Sequence, residues 1–74
     1  MGAHVGAEMR KRRQDLGLSQ QEMADLVDIS RSYYTNIELG MRRPGVDTAK
    51  RIAGILGFDW TRFYEDEKKQ ISTA

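Results

Sequence analysis

Apolar residues along this chain recur at helical spacing, and the runs are broken at glycine, proline and capping residues. Val5, Met9 and Leu16, with Ala7 between them, make a sparse stripe interrupted by charge, and Gly17 supplies a stop because glycine tolerates the left-handed backbone at which helices end. Ser19 then precedes "QQEMADLV". Glu22, three residues on, completes a capping box in which hydroxyl and carboxylate each satisfy an otherwise unpaired backbone N–H. Met23, Ala24 and Val27, with Leu26, form the apolar face of this second helix, expected from Gln20 to near Val27. Ser30 caps a third, "RSYYTNIEL", with Tyr34, Ile37 and Glu38 on one side, Arg31, Ser32, Thr35 and Asn36 on the other, and Gly40 at its end. "GMRRPGVD" reads as a loop, since Pro44 pushes the residue before it out of helical geometry. Ala49, Ile52, Ala53, Ile55 and Leu56 give "TAKRIAGIL" a strong apolar face, capped by Asp47 or the turn before it and ended by Gly57. Asp59 caps a fifth helix, "WTRFYEDEKKQ". With no strand signal, the expectation is an all-α domain of five helices.

The connection from Val27 to Ser30 is too short for a comfortable antiparallel hairpin. It suits two helices crossing steeply around a small residue such as Ala24, which is the geometry of a helix-turn-helix. In that motif the first helix braces the second so that the exposed face of the second can enter the major groove of DNA.

Length and composition narrow the alternatives. At 74 residues the chain supports one core, and the expected layout is a flexible start at 1–4, one domain over 5–67 and a flexible tail at 68–74. No cysteine is present, so neither disulfides nor a thiolate metal site is available, and no apolar stretch approaches the roughly 20 residues of a membrane span. A cytoplasmic location is expected. The net charge of +1 says little about a polyanionic partner, but its distribution says more. "RKRR" at Arg10 to Arg13 and "MRRP" at Met41 to Pro44 are basic, whereas "EDE" at Glu65 to Glu67 is acidic. Catalysis has no support: the one histidine, His4, stands in the weakly patterned start, and neither a phosphate-cradling glycine loop nor a His-Glu-x-x-His helix occurs. No cofactor, metal or small-molecule ligand is expected.

"LGLSQQEMADLVDISRSYYTNIELGMRRPGVDTAKRIAGILG" resembles the Cro and lambda-repressor-like helix-turn-helix family in the register of Leu18, Gln20, Ala24, Ile29, Ser30, Ile37, Glu38, Gly40, Pro44, Ile52, Ala53, Leu56 and Gly57. The resemblance runs from about Val5 to Tyr64. It implies a five-helix DNA-binding domain with the helix-turn-helix at helices two and three, acting as a transcriptional regulator, more often a repressor. It places Arg31, Ser32, Thr35 and Asn36 at base-reading positions. Arginine can grip guanine bidentately, asparagine can do the same to adenine, and a threonine methyl can meet that of thymine. Gln20, opening helix two, falls at a phosphate-contacting position, as do Arg42 and Arg43 in the loop, with Tyr33 and Arg10 beside them; such contacts position a protein without reading sequence. Each of these side chains also has a plainer reading as solvated surface. An arginine late in helix one, here Arg13, pairs in similar proteins with the glutamate near the end of helix three, here Glu38.

Three positions depart from the family pattern. Asp28 stands where glycine is common in the turn, Arg12 where an apolar residue is usual, and Tyr34 where a smaller aliphatic is. The latter two imply a repacked contact between helices one and three. Trp60, Phe63 and Tyr64 are either core or an interface: a homodimer in the DNA-binding reading, or a protein partner if the chain is instead an antitoxin-like or adaptor module.

Overall fold

The computed structural model describes residues 5–64, so His4, the "EDE" run and the proposed flexible ends lie outside the described residues. Within them the elements are α1 (Gly6–Asp15), α2 (Gln20–Val27), α3 (Arg31–Glu38), α4 (Val46–Leu56) and a 3-10 helix at Trp60–Tyr64. No strand occurs among the described residues.

Local chemistry accounts for most boundaries. Ser19 Oγ accepts the Glu22 backbone N–H at 3.0 Å and Glu22 Oε1 accepts that of Ser19 at 2.8 Å, so both halves of the capping box form. Ser30 Oγ accepts the Tyr33 N–H at 3.0 Å and starts α3 in the same manner. Between these helices Asp28 takes the left-handed conformation, with φ 62°, and the Ile29 N–H closes on Ala24 O at 3.0 Å. The turn thus keeps the geometry that glycine would favour, on a residue whose short polar side chain tolerates it.

In the C-terminal half one open alternative is settled, in favour of the turn before Asp47 as the cap of α4, and one expectation, the fifth α-helix, is corrected. Helix α4 begins at Val46 with Gly45 as its cap and no side-chain cap; Asp47 lies inside the first turn, where its charge faces the positive end of the helix dipole. The fifth helix is, over the described residues, a 3-10 helix rather than an α-helix. Asp59 Oδ1 accepts the Thr61 N–H at 3.0 Å and the Thr61 hydroxyl at 2.9 Å, and the Arg62 N–H reaches Asp59 O at 3.0 Å, three residues back. Within it Phe63 tilts onto Phe58, with ring centroids 5.5 Å apart.

The core is built from Met9 of α1, Met23, Ala24 and Val27 of α2, Tyr34 and Ile37 of α3, and Ile52 and Leu56 of α4. Leu26 does not join it: at 58% exposure it lies off the stripe that Met23, Ala24 and Val27 share, because adjacent residues on a helix diverge by about 100°. Leu16 is likewise exposed. Tyr34 is fully buried, and its hydroxyl lies near the Glu38 carboxylate but has no partner at hydrogen-bond geometry among the described residues. Burial, and then the neighbouring Glu38 carboxylate, push that phenol above its ordinary pKa.

Arg12 does not repack α1 against α3, as its departure from the family pattern suggested. It reaches the end of α4 instead, donating to Gly57 O at 3.0 Å and Leu56 O at 3.3 Å, two carbonyls that a helix terminus leaves unpaired. Glu8 holds Arg12 through a 2.8 Å ion pair and also pairs with Arg62, tying α1 to the 3-10 helix. Hydrogen bonds from Arg62 and then Arg12 hold the Glu8 carboxyl below its ordinary pKa.

Candidate nucleic-acid interface

Helix α3 has an inner and an outer side, and each has a distinct chemistry. Tyr34, Ile37 and Glu38 are buried on the inner side. Arg31, Ser32, Thr35 and Asn36 together line one shallow, open depression on the outer side. Their spacing is the helical one: positions 31 and 35, and 32 and 36, lie one turn apart on the same face.

What fixes the inner side is a buried ion pair. Arg13 Nε donates to Glu38 Oε2 at 2.7 Å and Arg13 Nη2 to Glu38 Oε1 at 3.4 Å, while Arg13 Nη1 donates to Leu18 O at 2.8 Å. Burial would raise the Glu38 pKa, but the hydrogen bonds led by Arg13 outweigh it and hold the carboxyl below its ordinary value. The same contact holds the Arg13 guanidinium above its ordinary value. Arg10 approaches the edge of this pair, with Nε 4.0 Å from Glu38 Oε1, and leaves 53% of its side chain exposed.

Gln20, expected at a phosphate, has a different set of contacts. Its Nε2 donates to Glu38 Oε1 at 3.1 Å and its Oε1 accepts the Thr35 hydroxyl at 3.1 Å. The amide therefore bridges the buried ion pair and the outer face of α3. No sequence pattern signals this link, since the partners come from different helices and none of the three residues is unusual for its position.

The loop residues form a second cluster beside α3. The Met41 and Arg42 N–H groups both donate to Asn36 O, at 2.9 and 3.2 Å, fastening the loop to the end of the helix. The Arg42 guanidinium sits over the Tyr33 ring, 5.4 Å from its centroid, a cation–π arrangement that brings two of the phosphate candidates together. Arg43 is exposed in the same loop. Arg51, which the sequence did not single out, donates to Val27 O at 3.4 Å and serves the end of α2.

The aromatic candidates lie away from the depression. Phe63 packs on the core. Trp60 meets Tyr64 edge-on at 6.1 Å and has the Lys50 ammonium 5.1 Å from its ring centroid, and the Tyr64 hydroxyl donates to Pro44 O at 2.7 Å. All three are half-buried within this chain. Leu39, Met41 and Val46 are exposed apolar residues at the ends of the loop that contains Pro44.

Among the described residues, no group of acidic residues and histidines is placed to hold a metal ion, and no helix is long and apolar enough to cross a membrane.

Comparison with known proteins agrees with this layout. Residues 9–63 match the family described as helix-turn-helix. The chain is 48% identical over 58 residues to the uncharacterized HTH-type transcriptional regulator YqaF of Bacillus subtilis (strain 168), a match covering 78% of this chain and 76% of that protein. It is 36% identical over 58 residues to the ImmF control region 10 kDa protein of Bacillus phage phi105, covering 78% of this chain and 64% of that protein. It is 30% identical over 66 residues to the control protein C.MunI of Mycoplasma sp., covering 88% and 89%. With the helix-turn-helix match spanning α1 through the 3-10 helix, the chain belongs to the helix-turn-helix family, of the Cro and lambda-repressor-like type.

Proposed function

We propose that this protein is a sequence-specific, double-stranded DNA-binding transcriptional regulator that reads the major groove with α3 and acts as a dimeric repressor. The observation that carries the reading is the two-sided construction of α3. Its inner side is anchored by Glu38 to Arg13, while Arg31, Ser32, Thr35 and Asn36 are gathered on its outer face. A reading helix needs a fixed tilt, because a bidentate contact to a base edge tolerates little misplacement. The buried pair and the capped turn supply that rigidity.

In this reading Arg31 and Asn36 make the principal base contacts, with Ser32 and Thr35 beside them. Arg42 and Arg43, with Tyr33 and Arg10, contact phosphates and supply salt-dependent affinity. Gln20 has a second amide hydrogen at the start of α2 for the same purpose. Trp60, with Tyr64 and Phe63 behind it, forms the centre of a homodimer contact, and binding over a promoter gives repression. Relatives named as transcriptional regulators and control proteins support the regulatory role.

The test is selection of bound duplexes from a random library at about physiological salt. The expected product is a palindromic motif with half-sites about 34 Å apart, one turn of the DNA helix. Weak, salt-erased binding with no motif would refute the reading and turn attention to a protein partner at Trp60.

A further inference from the structure

The polar side chains on the outer face of α3 do not have equal hydrogen-bonding freedom. The Glu38 side chain is fully buried, and an ionised carboxylate accepts hydrogen bonds but donates none. Gln20 must therefore turn its amide N–H toward Glu38 Oε1, the 3.1 Å contact, since the reverse orientation would set a carbonyl oxygen against the carboxylate. That choice leaves the amide oxygen facing Thr35, and it accepts the Thr35 hydroxyl at 3.1 Å. A hydroxyl has one proton to give. Hydrogen-bond polarity is thereby fixed along the row: Arg13 and Gln20 both donate to Glu38, Thr35 donates to Gln20, and Thr35 has no proton left for a base.

In the major groove this removes part of what threonine can do. Guanine N7 and O6, adenine N7 and thymine O4 are acceptors and call for a donor, whereas the thymine C5-methyl calls for an apolar surface. With its hydroxyl held at Gln20, Thr35 has its γ-methyl left for the depression it shares with Arg31, Ser32 and Asn36. We infer that Thr35 reads a thymine through contact between the two methyl groups, and that Gln20 is the positioning residue that holds Thr35 in the orientation for it. The inference rests on the DNA-reading function proposed above and names one base that this function recognises.

The experiment uses the full chain and the site it selects from the random library. Each thymine of the site is replaced in turn by uracil, which removes only the C5-methyl, and affinity is measured by fluorescence anisotropy. In each half-site one thymine is expected at which uracil weakens wild-type binding about three- to fivefold, the scale of one buried methyl group. Thr35→Val, which keeps a γ-methyl without the hydroxyl, retains that sensitivity. Thr35→Ser, which keeps the hydroxyl without the methyl, loses it at that position alone. Gln20→Ala brings the thymine-to-uracil ratio toward one while the far-ultraviolet circular dichroism remains helical.

Uracil sensitivity that is the same in wild type and Thr35→Ser at every position overturns the inference, and an unchanged ratio in Gln20→Ala overturns the positioning role. An adenine or cytosine at the Thr35-dependent position would also overturn it, because the hydroxyl oxygen would then be accepting from a base amino group. The uracil series needs no altered protein, so a wild type indifferent to every substitution is decisive even if a variant fails to fold. Failure to select any motif removes the DNA-reading function together with this inference. A motif without a methyl-sensitive, Thr35-dependent base removes the inference alone.

Discussion

Arg13 and Glu38, one from α1 and one from α3, meet in the interior with Arg13 Nε 2.7 Å from Glu38 Oε2, their side chains 10% and 0% exposed. A buried charge with its partner removed is costly. Arg13→Ala and Glu38→Ala should each lower stability by about 3 to 5 kcal/mol, measured by urea unfolding. Replacing both with apolar residues of similar volume, as in Arg13→Met with Glu38→Leu, should recover most of that loss. Additive losses in the double variant would contradict a directly coupled pair.

Stability should depend on acid through the same carboxylate. The Glu38 pKa is depressed in the folded protein, so its contribution is fully present above the ordinary carboxylate value of 4.5 and is lost as pH falls through the lower folded value. Urea unfolding of wild type and Glu38→Gln should therefore differ most near neutrality and converge in acid below about pH 4.5. A gap that stays constant down to strong acid would assign the effect of the substitution to packing rather than charge.

Tyr34 offers a contrast within the same core. Its ring is buried but its hydroxyl has no hydrogen-bond partner among the described residues, so Tyr34→Phe should change stability by less than about 1 kcal/mol, with a gain as acceptable as a loss. Tyr34→Ala should cost about 3 to 5 kcal/mol through the cavity it leaves. A loss of several kcal/mol in Tyr34→Phe, read by thermal unfolding, would mean that the hydroxyl makes a stabilising bond.

The turn between α2 and α3 rests on a left-handed Asp28 at φ 62°. Asp28→Gly should leave stability within about 1 kcal/mol, because relieved strain and the added freedom of the unfolded chain oppose each other. Asp28→Val should cost about 1 to 2 kcal/mol, since a β-branched side chain fits that conformation poorly. Equal melting temperatures for the two variants would argue against a strained turn.

The features legible in the sequence were those set by neighbours along the chain. The capping box of Ser19 and Glu22, the cap at Ser30 and the left-handed tolerance of Asp28 each need only a few consecutive residues to act. The family register carried the Arg13 to Glu38 pairing, which no local pattern could have suggested. What escaped was tertiary. Arg12 serves the end of α4, and Gln20 joins Glu38 to Thr35, because side chains from separate helices happen to reach one another. The aromatic run after Asp59 has the apolar spacing of an α-helix, yet the Asp59 turn and the packing of Phe63 on Phe58 wind it as a 3-10 helix.

If α3 reads bases while the loop beside it holds phosphates, two arginine variants will behave differently on the selected site. Affinities of Arg31→Ala and Arg42→Ala would be measured for that site and for its single-base variants across a range of salt. Arg31→Ala should cost about 1 to 3 kcal/mol and erase discrimination at one base position, whereas Arg42→Ala should weaken every sequence alike and reduce the salt slope by about one. Equal, sequence-independent losses from both variants would contradict the assignment of α3 as the reading helix.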